Sequence, residues 1–103
     1  MQLATADPQT SHPSLVLKGR FDAFETERFR TTVDELFAGN ADSLSIDMSD
    51  VIFVDSSGLA ELVRAMKHSR ERGGDVHIVS PSDPVRVILE LTRLDSAFSI
   101  VEN

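Results

Sequence analysis

The chain alternates apolar, strand-like segments with amphipathic, helix-like segments, and this alternation constrains its fold more than any other feature. The predicted order over the 103 residues is (β)βαβαβαβ. Strands that alternate with helices form a largely parallel sheet with covering helices. We therefore predict an α/β fold with a mostly parallel, mixed sheet of four to five strands. In such sheets, ligand and regulatory sites lie at the C-terminal ends of the strands.

The predicted strands are short apolar or alternating runs bounded by turn residues. Residues 1–13 are weakly patterned because Pro8 and Pro13 interrupt them, although a strand around Leu3 could form an edge of the sheet. The clearer strands lie at residues 14–20, 43–48 continued by 51–54, 76–79 and 98–101.

The helices are predicted from their stop and start residues. Asp22 and Glu25 resemble a capping box, so we expect Asp22 to cap a first helix that ends near Ala38. The second helix is predicted from about Ser57 to Arg72, where two glycines end it. The third begins at Ser-Asp-Pro, residues 82–84, with a capping side chain followed by proline at the first helical position.

Composition excludes several classes of function. A net charge of −7 makes electrostatic binding to nucleic acid or to an anionic membrane a poor prospect. Disulfides and thiol chemistry are excluded because the chain has no cysteine. His12, His68 and His77 fall in different elements without ligand spacing, so we expect no metal and no cofactor. The first residues lack the features of a signal peptide, and a cytoplasmic location is expected.

The Asp-Ser-Ser-Gly segment, residues 55–58, joins a strand to the second helix and is the candidate site. Ser56 and Ser57 lie where the free N–H groups and the dipole of a helix end favour negative charge, so a phosphate could be accommodated there. Serine is also a common cap, and the residues alone do not separate the two serines. Asp55 could bond nearby N–H groups, orient Ser56 or contact a partner. Gly58 would allow a close approach of backbone.

These residues resemble a known family. The segment from Asp47 to Leu59 is similar to the signature of STAS domains, specifically those of bacterial anti-sigma factor antagonists. Further landmarks in the same order are Gly19-Arg20-Phe21-Asp22, Gly73-Gly74 before residues 76–79, and Pro84-Val85. The resemblance covers residues 14–102, and we expect residues 1–103 to form a single STAS domain.

The resemblance implies a regulatory protein rather than an enzyme. Unphosphorylated antagonists bind an anti-sigma factor with serine kinase activity and so free the sigma factor. The kinase, which itself binds ATP and Mg²⁺, phosphorylates the serine after the signature aspartate, here Ser56, and a PP2C-type phosphatase reverses this. The resemblance favours Ser57 as a cap or turn residue, and it places Asp22 near the phosphorylation site.

Two alternatives stay open at this point. A response-receiver domain is also a small α/β phosphoacceptor, but it needs an acidic pair after the first strand and a lysine after a late strand. The chain has no acidic pair near residue 20 and no lysine after Val79. The other alternative is a STAS scaffold subunit of a transport or stress-sensing assembly, which would keep the fold without the kinase.

Overall fold

The structure is a computed structural model that describes residues 1–102. It contains one five-stranded sheet whose strands are ordered in space as they are in sequence, β1-β2-β3-β4-β5. The strands are β1 (Gln2–Ala6), β2 (Ser14–Phe21), β3 (Leu44–Val54), β4 (Val76–Val79) and β5 (Ser99–Val101). The helices are α1 (Thr26–Ala38), α2 (Ser56–Glu71) and α3 (Asp83–Leu91), with a short 3₁₀ turn at Leu94–Ser96.

The sheet is mixed because β1 alone runs antiparallel to its neighbour. Leu3 of β1 pairs with Leu17 of β2, while β2 through β5 pair in parallel. The predicted mixed, mostly parallel sheet is therefore confirmed, including the edge strand around Leu3. The prolines at positions 8 and 13 do not interrupt a strand, because both lie in the connection between β1 and β2.

One face of the sheet is covered and the other is partly open. Leu15, Ile46 and Ile78 form a row across β2, β3 and β4, and each is fully buried. The adjacent row includes Ser45 and His77, which are only half-buried. Successive side chains of a strand point to opposite faces, so the helices cover the first row and leave the second row partly exposed.

The predicted cap of α3 is wrong in its chemistry although its position is right. Ser82 is the N-cap residue of α3, but its side chain makes no capping hydrogen bond. Its hydroxyl instead donates to the carbonyl oxygen of Val51, and its backbone N–H donates to the carbonyl of Met48. Ser82 therefore ties the start of α3 to β3. The helix begins at Asp83, so Pro84 is the second helical residue, one position later than predicted.

Asp75, just before β4, connects three parts of the fold. Its carboxylate accepts hydrogen bonds from the hydroxyl of Ser99 at 2.9 Å and from the N–H of Val76 at 2.9 Å, and it lies 3.4 Å from Arg70. Partial burial is the largest single influence and disfavours the charged form. The hydrogen bonds and Arg70 together outweigh it and hold the pKa of Asp75 below its usual value.

Candidate functional site at the start of the second helix

The start of α2 is capped by an aspartate and not by a serine. Asp55 is the N-cap residue, with φ −101° and ψ −176°, and its Oδ1 accepts a hydrogen bond from the N–H of Gly58 at 2.9 Å. Ser56 and Ser57 are then the first two residues of the helix. The prediction that Ser57 is a cap or turn residue is wrong, and the helix begins one residue before the predicted start near Ser57. Aspartate and serine are about equally good caps, and Asp55 takes this position with its other carboxylate oxygen bonded to the N–H of Ala23 in the turn after β2.

The two serines differ in exposure. Ser56 is exposed, whereas Ser57 is half-buried. An enzyme that modifies a hydroxyl must close around it, so the exposed Ser56 is the more accessible acceptor. Residues 56–59 are uncharged, and the free N–H groups at this helix end give the hydroxyl a locally positive environment.

Asp55 also connects α2 to the end of β2. Its second carboxylate oxygen, Oδ2, accepts a hydrogen bond from the N–H of Ala23 at 3.1 Å, and its own N–H donates to the carbonyl of Phe21 at 3.4 Å. One side chain therefore caps the helix that carries Ser56 and holds the turn that follows the neighbouring strand. The sequence left Asp55 open between bonding nearby N–H groups, orienting Ser56 and contacting a partner, and the structure shows the first of these roles.

Asp22 does not cap α1. The helix begins at Thr26 with Glu25 at the N-cap position and no side-chain capping bond, so the predicted capping box is wrong. Asp22 instead organises the turn before the helix. Its Oδ1 accepts from the N–H of Phe24 at 3.1 Å, and its carbonyl accepts from the N–H of Glu25 at 2.9 Å. A short polar side chain that bonds two residues onward forms such a turn in place of a helix start. Asp22 and Asp55 thus hold the same turn.

Gly58 brings the start of α2 against β2. A Cβ at this position would lie 2.5 Å from the carbonyl oxygen of Phe21, 3.0 Å from Cγ2 of Val54 and 3.2 Å from Cδ2 of Phe21. No side chain larger than hydrogen fits there without a shift of backbone. The predicted close approach of backbone at Gly58 is confirmed.

A cation lies beside the site but is already engaged. Arg20, near the end of β2, has its Nε 3.5 Å from Oδ2 of Asp22. Its guanidinium carbon lies 4.2 Å from the ring centre of Phe53. Asp22 and Asp55 therefore place two carboxylates close to the start of α2, and Arg20 offsets part of that negative charge.

Ion pairs hold α2 in position against α1. Glu61 is only 5% exposed, and its carboxylate accepts two hydrogen bonds from the guanidinium of Arg30. Arg64 pairs with Asp34 at 2.8 Å. The hydrogen bond with Glu61, followed by its charge, raises the pKa of Arg30. Sequence reasoning missed these pairs because their partners lie 30 and 31 residues apart, on two helices separated by β3.

The histidines are not all scattered. The rings of His12 and His77 stack with their centres 5.1 Å apart, and Nε2 of His12 lies 2.8 Å from the hydroxyl oxygen of Ser45. This pair lies on the half-open face of the sheet, whereas His68 packs against Phe37.

Within residues 1–102, no group of three or more histidine, aspartate or glutamate side chains is placed to hold a metal ion. The helices of this described part are all too short or too polar to cross a membrane.

Fold and site together define a small α/β domain that presents an exposed serine at a strand–helix junction. The model of the STAS domain family matches residues 5–103. The chain therefore belongs to the STAS domain family, which confirms the resemblance seen in the sequence.

Its relatives include anti-sigma factor antagonists. The anti-sigma-B factor antagonist of Listeria monocytogenes is 26% identical over 91 residues, which cover 88% of this chain and 80% of that protein. A crystal structure of a candidate anti-sigma factor antagonist from Thermotoga maritima matches with a TM-score of 0.86 at 25% identity. The match covers 99% of this chain and 86% of the Thermotoga chain. The antagonist SpoIIAA in its unphosphorylated form has the same fold, with a TM-score of 0.82 at 21% identity and coverage of 99% and 86%. Proteins of this antagonist family are regulators and not enzymes.

Proposed function

We propose that this chain is an anti-sigma factor antagonist controlled by phosphorylation of Ser56. The unphosphorylated form binds an anti-sigma factor with serine kinase activity, and this binding releases the sigma factor. The observation that carries the proposal is the geometry of Ser56, an exposed hydroxyl in the first turn of a helix whose cap is supplied by Asp55. The half-buried Ser57 is a supporting residue in this proposal.

The switch would act at the contact between the two proteins and would leave the fold nearly unchanged. Phosphorylation adds about −1.5 to −2 charges at neutral pH. The N–H groups at the start of α2 can accommodate part of that charge within the domain. In a fitted interface, however, the dianion must lose water and enters a surface that already holds Asp22 and Asp55. A cost of about 3 kcal/mol would weaken binding more than a hundredfold.

The chemistry belongs to the partners in this proposal. The kinase binds ATP and Mg²⁺ and transfers the phosphoryl group to the hydroxyl of Ser56, while this chain contributes the acceptor and its position. A PP2C-type phosphatase removes the phosphate. The net charge of −7 fits a protein partner better than nucleic acid or an anionic membrane. The proposed place of action is the cytoplasm, where sigma factors work.

Binding measurements with the cognate kinase test the proposal. The dissociation constant is measured without ATP for the wild type and for Ser56→Ala and Ser56→Asp, with Ser57→Ala as the matched control. We expect Ser56→Ala and Ser57→Ala to bind within a few-fold of wild type, and Ser56→Asp and phosphorylated wild type to bind about a hundredfold more weakly. Equal binding by Ser56→Ala, Ser56→Asp and phosphorylated wild type would contradict the switch. Co-purification with a transporter or a large assembly, and no binding to the kinase, would favour a scaffold role.

A further inference from the structure

Phe24 is the most exposed large apolar side chain described in this structure. It lies in the turn between β2 and α1 and is 93% exposed. Aromatic side chains gain considerably when they are buried, and exposed ones are enriched at contacts with other proteins. Single exposed apolar residues are common on protein surfaces, so exposure by itself assigns no role to Phe24.

The backbone that carries Phe24 is firmly held. Its own N–H donates to Oδ1 of Asp22 at 3.1 Å, and the preceding N–H, that of Ala23, donates to Oδ2 of Asp55 at 3.1 Å. The N–H of Glu25 closes the turn on the carbonyl of Asp22 at 2.9 Å. A side chain on an ordered turn loses less entropy when it enters a partner, which is the advantage of a preorganised anchor.

The same carboxylate connects Phe24 to Ser56. Oδ1 of Asp55 caps the helix that begins at Ser56, and Oδ2 binds the N–H next to Phe24. The close approach of Gly58 to the carbonyl of Phe21 adds a second connection between the two segments. The turn that carries Phe24 and the helix start that carries Ser56 are therefore held together through Asp55, and both residues are exposed on this unit.

We infer that Phe24 is the apolar anchor by which the serine kinase recognises this domain, an inference that rests on the proposed function. The occupant is the kinase itself, which would offer an apolar pocket beside its catalytic cleft. Phe24 borders a shallow depression on the first turns of α1, lined also by Glu27, Arg28 and Thr31. The polar side chains around this depression would contact the residues that surround the apolar pocket of the kinase. Asp22 and Asp55 act as positioning residues for Phe24.

Kinetics of Ser56 phosphorylation by the cognate kinase test the inference. The variant is Phe24→Ala, and the matched control is Leu91→Ala, since Leu91 is 75% exposed but lies at the far end of α3. We expect Phe24→Ala to raise KM and the dissociation constant about tenfold or more, with kcat within about twofold of wild type. Leu91→Ala should leave both constants within about twofold. Both positions are exposed, so thermal unfolding of each variant should match wild type.

A double-mutant cycle tests the positioning role. Asp22→Ala removes the acceptor for the N–H of Phe24, and it should raise KM in the wild-type background. In the Phe24→Ala background the same change should add little, because the side chain that it positions is gone. A purely structural role of Asp22 would raise KM by the same factor in both backgrounds.

The outcomes separate the inference from the proposed function. If the kinase binds and phosphorylates wild type and Phe24→Ala with equal KM, the inference is overturned while the proposed function stands. It is also overturned if Phe24→Ala abolishes a self-association of the free protein, seen by sedimentation, without changing KM. If the kinase neither binds nor phosphorylates wild type, the proposed function fails and the inference fails with it.

Discussion

Replacing Gly58 by alanine is expected to destabilise the domain at the point where the candidate site is built. The new methyl group would lie 2.5 Å from the carbonyl oxygen of Phe21 and 3.0 Å from Cγ2 of Val54. The first contact is with backbone, which cannot rotate away as a flexible side chain can. The start of α2 must therefore move away from the end of β2 by roughly the missing contact distance, which is on the order of 1 Å.

The expected magnitude combines two opposing effects. Overpacking of a well-packed region costs about 1–3 kcal/mol, and a clash with backbone belongs at the upper end of that range. Alanine is intrinsically better than glycine in a helix by about 1 kcal/mol, which offsets part of the cost. The net loss in the free energy of unfolding is then about 2 kcal/mol. For a domain of this size that loss lowers Tm by about 8–16 °C.

Thermal and urea unfolding followed by circular dichroism measure this difference. Gly39→Ala is the matched control, because a Cβ there would lie 3.4 Å from the carbonyl oxygen of Leu36 and 3.8 Å from that of Glu35, and φ at Gly39 is −89°. The control should change the free energy of unfolding by no more than about 0.5 kcal/mol. A Gly58→Ala variant as stable as wild type would refute the reasoning, since the close approach would then be dispensable.

Three further predictions concern the residues that support the site. Asp55→Ala should lower the free energy of unfolding by about 1–2 kcal/mol in urea titrations, because a helix loses its cap, and a loss below about 0.3 kcal/mol would contradict the capping role. Arg30→Ala should destabilise the domain more than Glu61→Leu, because only the first leaves a buried carboxylate without its main partner; the reverse order in urea unfolding would contradict this. Asp75 has a lowered pKa in the folded state, so its stabilising contribution is present above about pH 4 and lost as pH falls below it. The free energy of unfolding of Asp75→Asn should accordingly fall less than that of wild type between about pH 4 and 2, and parallel curves would refute the assignment.

The fold could be predicted from the sequence because its signals are local. Apolar residues recur every two residues in the strands and about every 3.6 residues in the helices, and glycines follow the first two helices. These patterns predicted every strand of the sheet and the order of the elements. The edge strand around Leu3 was the weakest of these predictions, because its own sequence pattern is weak and its pairing with β2 is not visible in the local sequence. The covered and open faces follow from the same alternation along each strand.

The hydrogen bonds of the site could not be predicted because they depend on neighbours distant in sequence. Asp22 and Ser82 have the residue types of caps, but their side chains bond a turn and a strand carbonyl instead. Asp55 takes the capping position of α2 because its other carboxylate oxygen also binds the N–H of Ala23, in the turn that follows β2. By residue type, Asp55, Ser56 and Ser57 are nearly equally suited to cap α2, and only the packing of β2 against α2 distinguishes them.

The most direct test of the account is to locate the phosphate. The protein is incubated with its cognate anti-sigma factor kinase, ATP and Mg²⁺, its intact mass is measured, and the modified residue is mapped by peptide fragmentation. We predict a mass increase of one phosphate group, located on Ser56, that is absent in Ser56→Ala and retained in Ser57→Ala. A phosphate on Ser57, or an unmodified wild-type protein bound to an active kinase, would contradict the assignment of Ser56 as the switch.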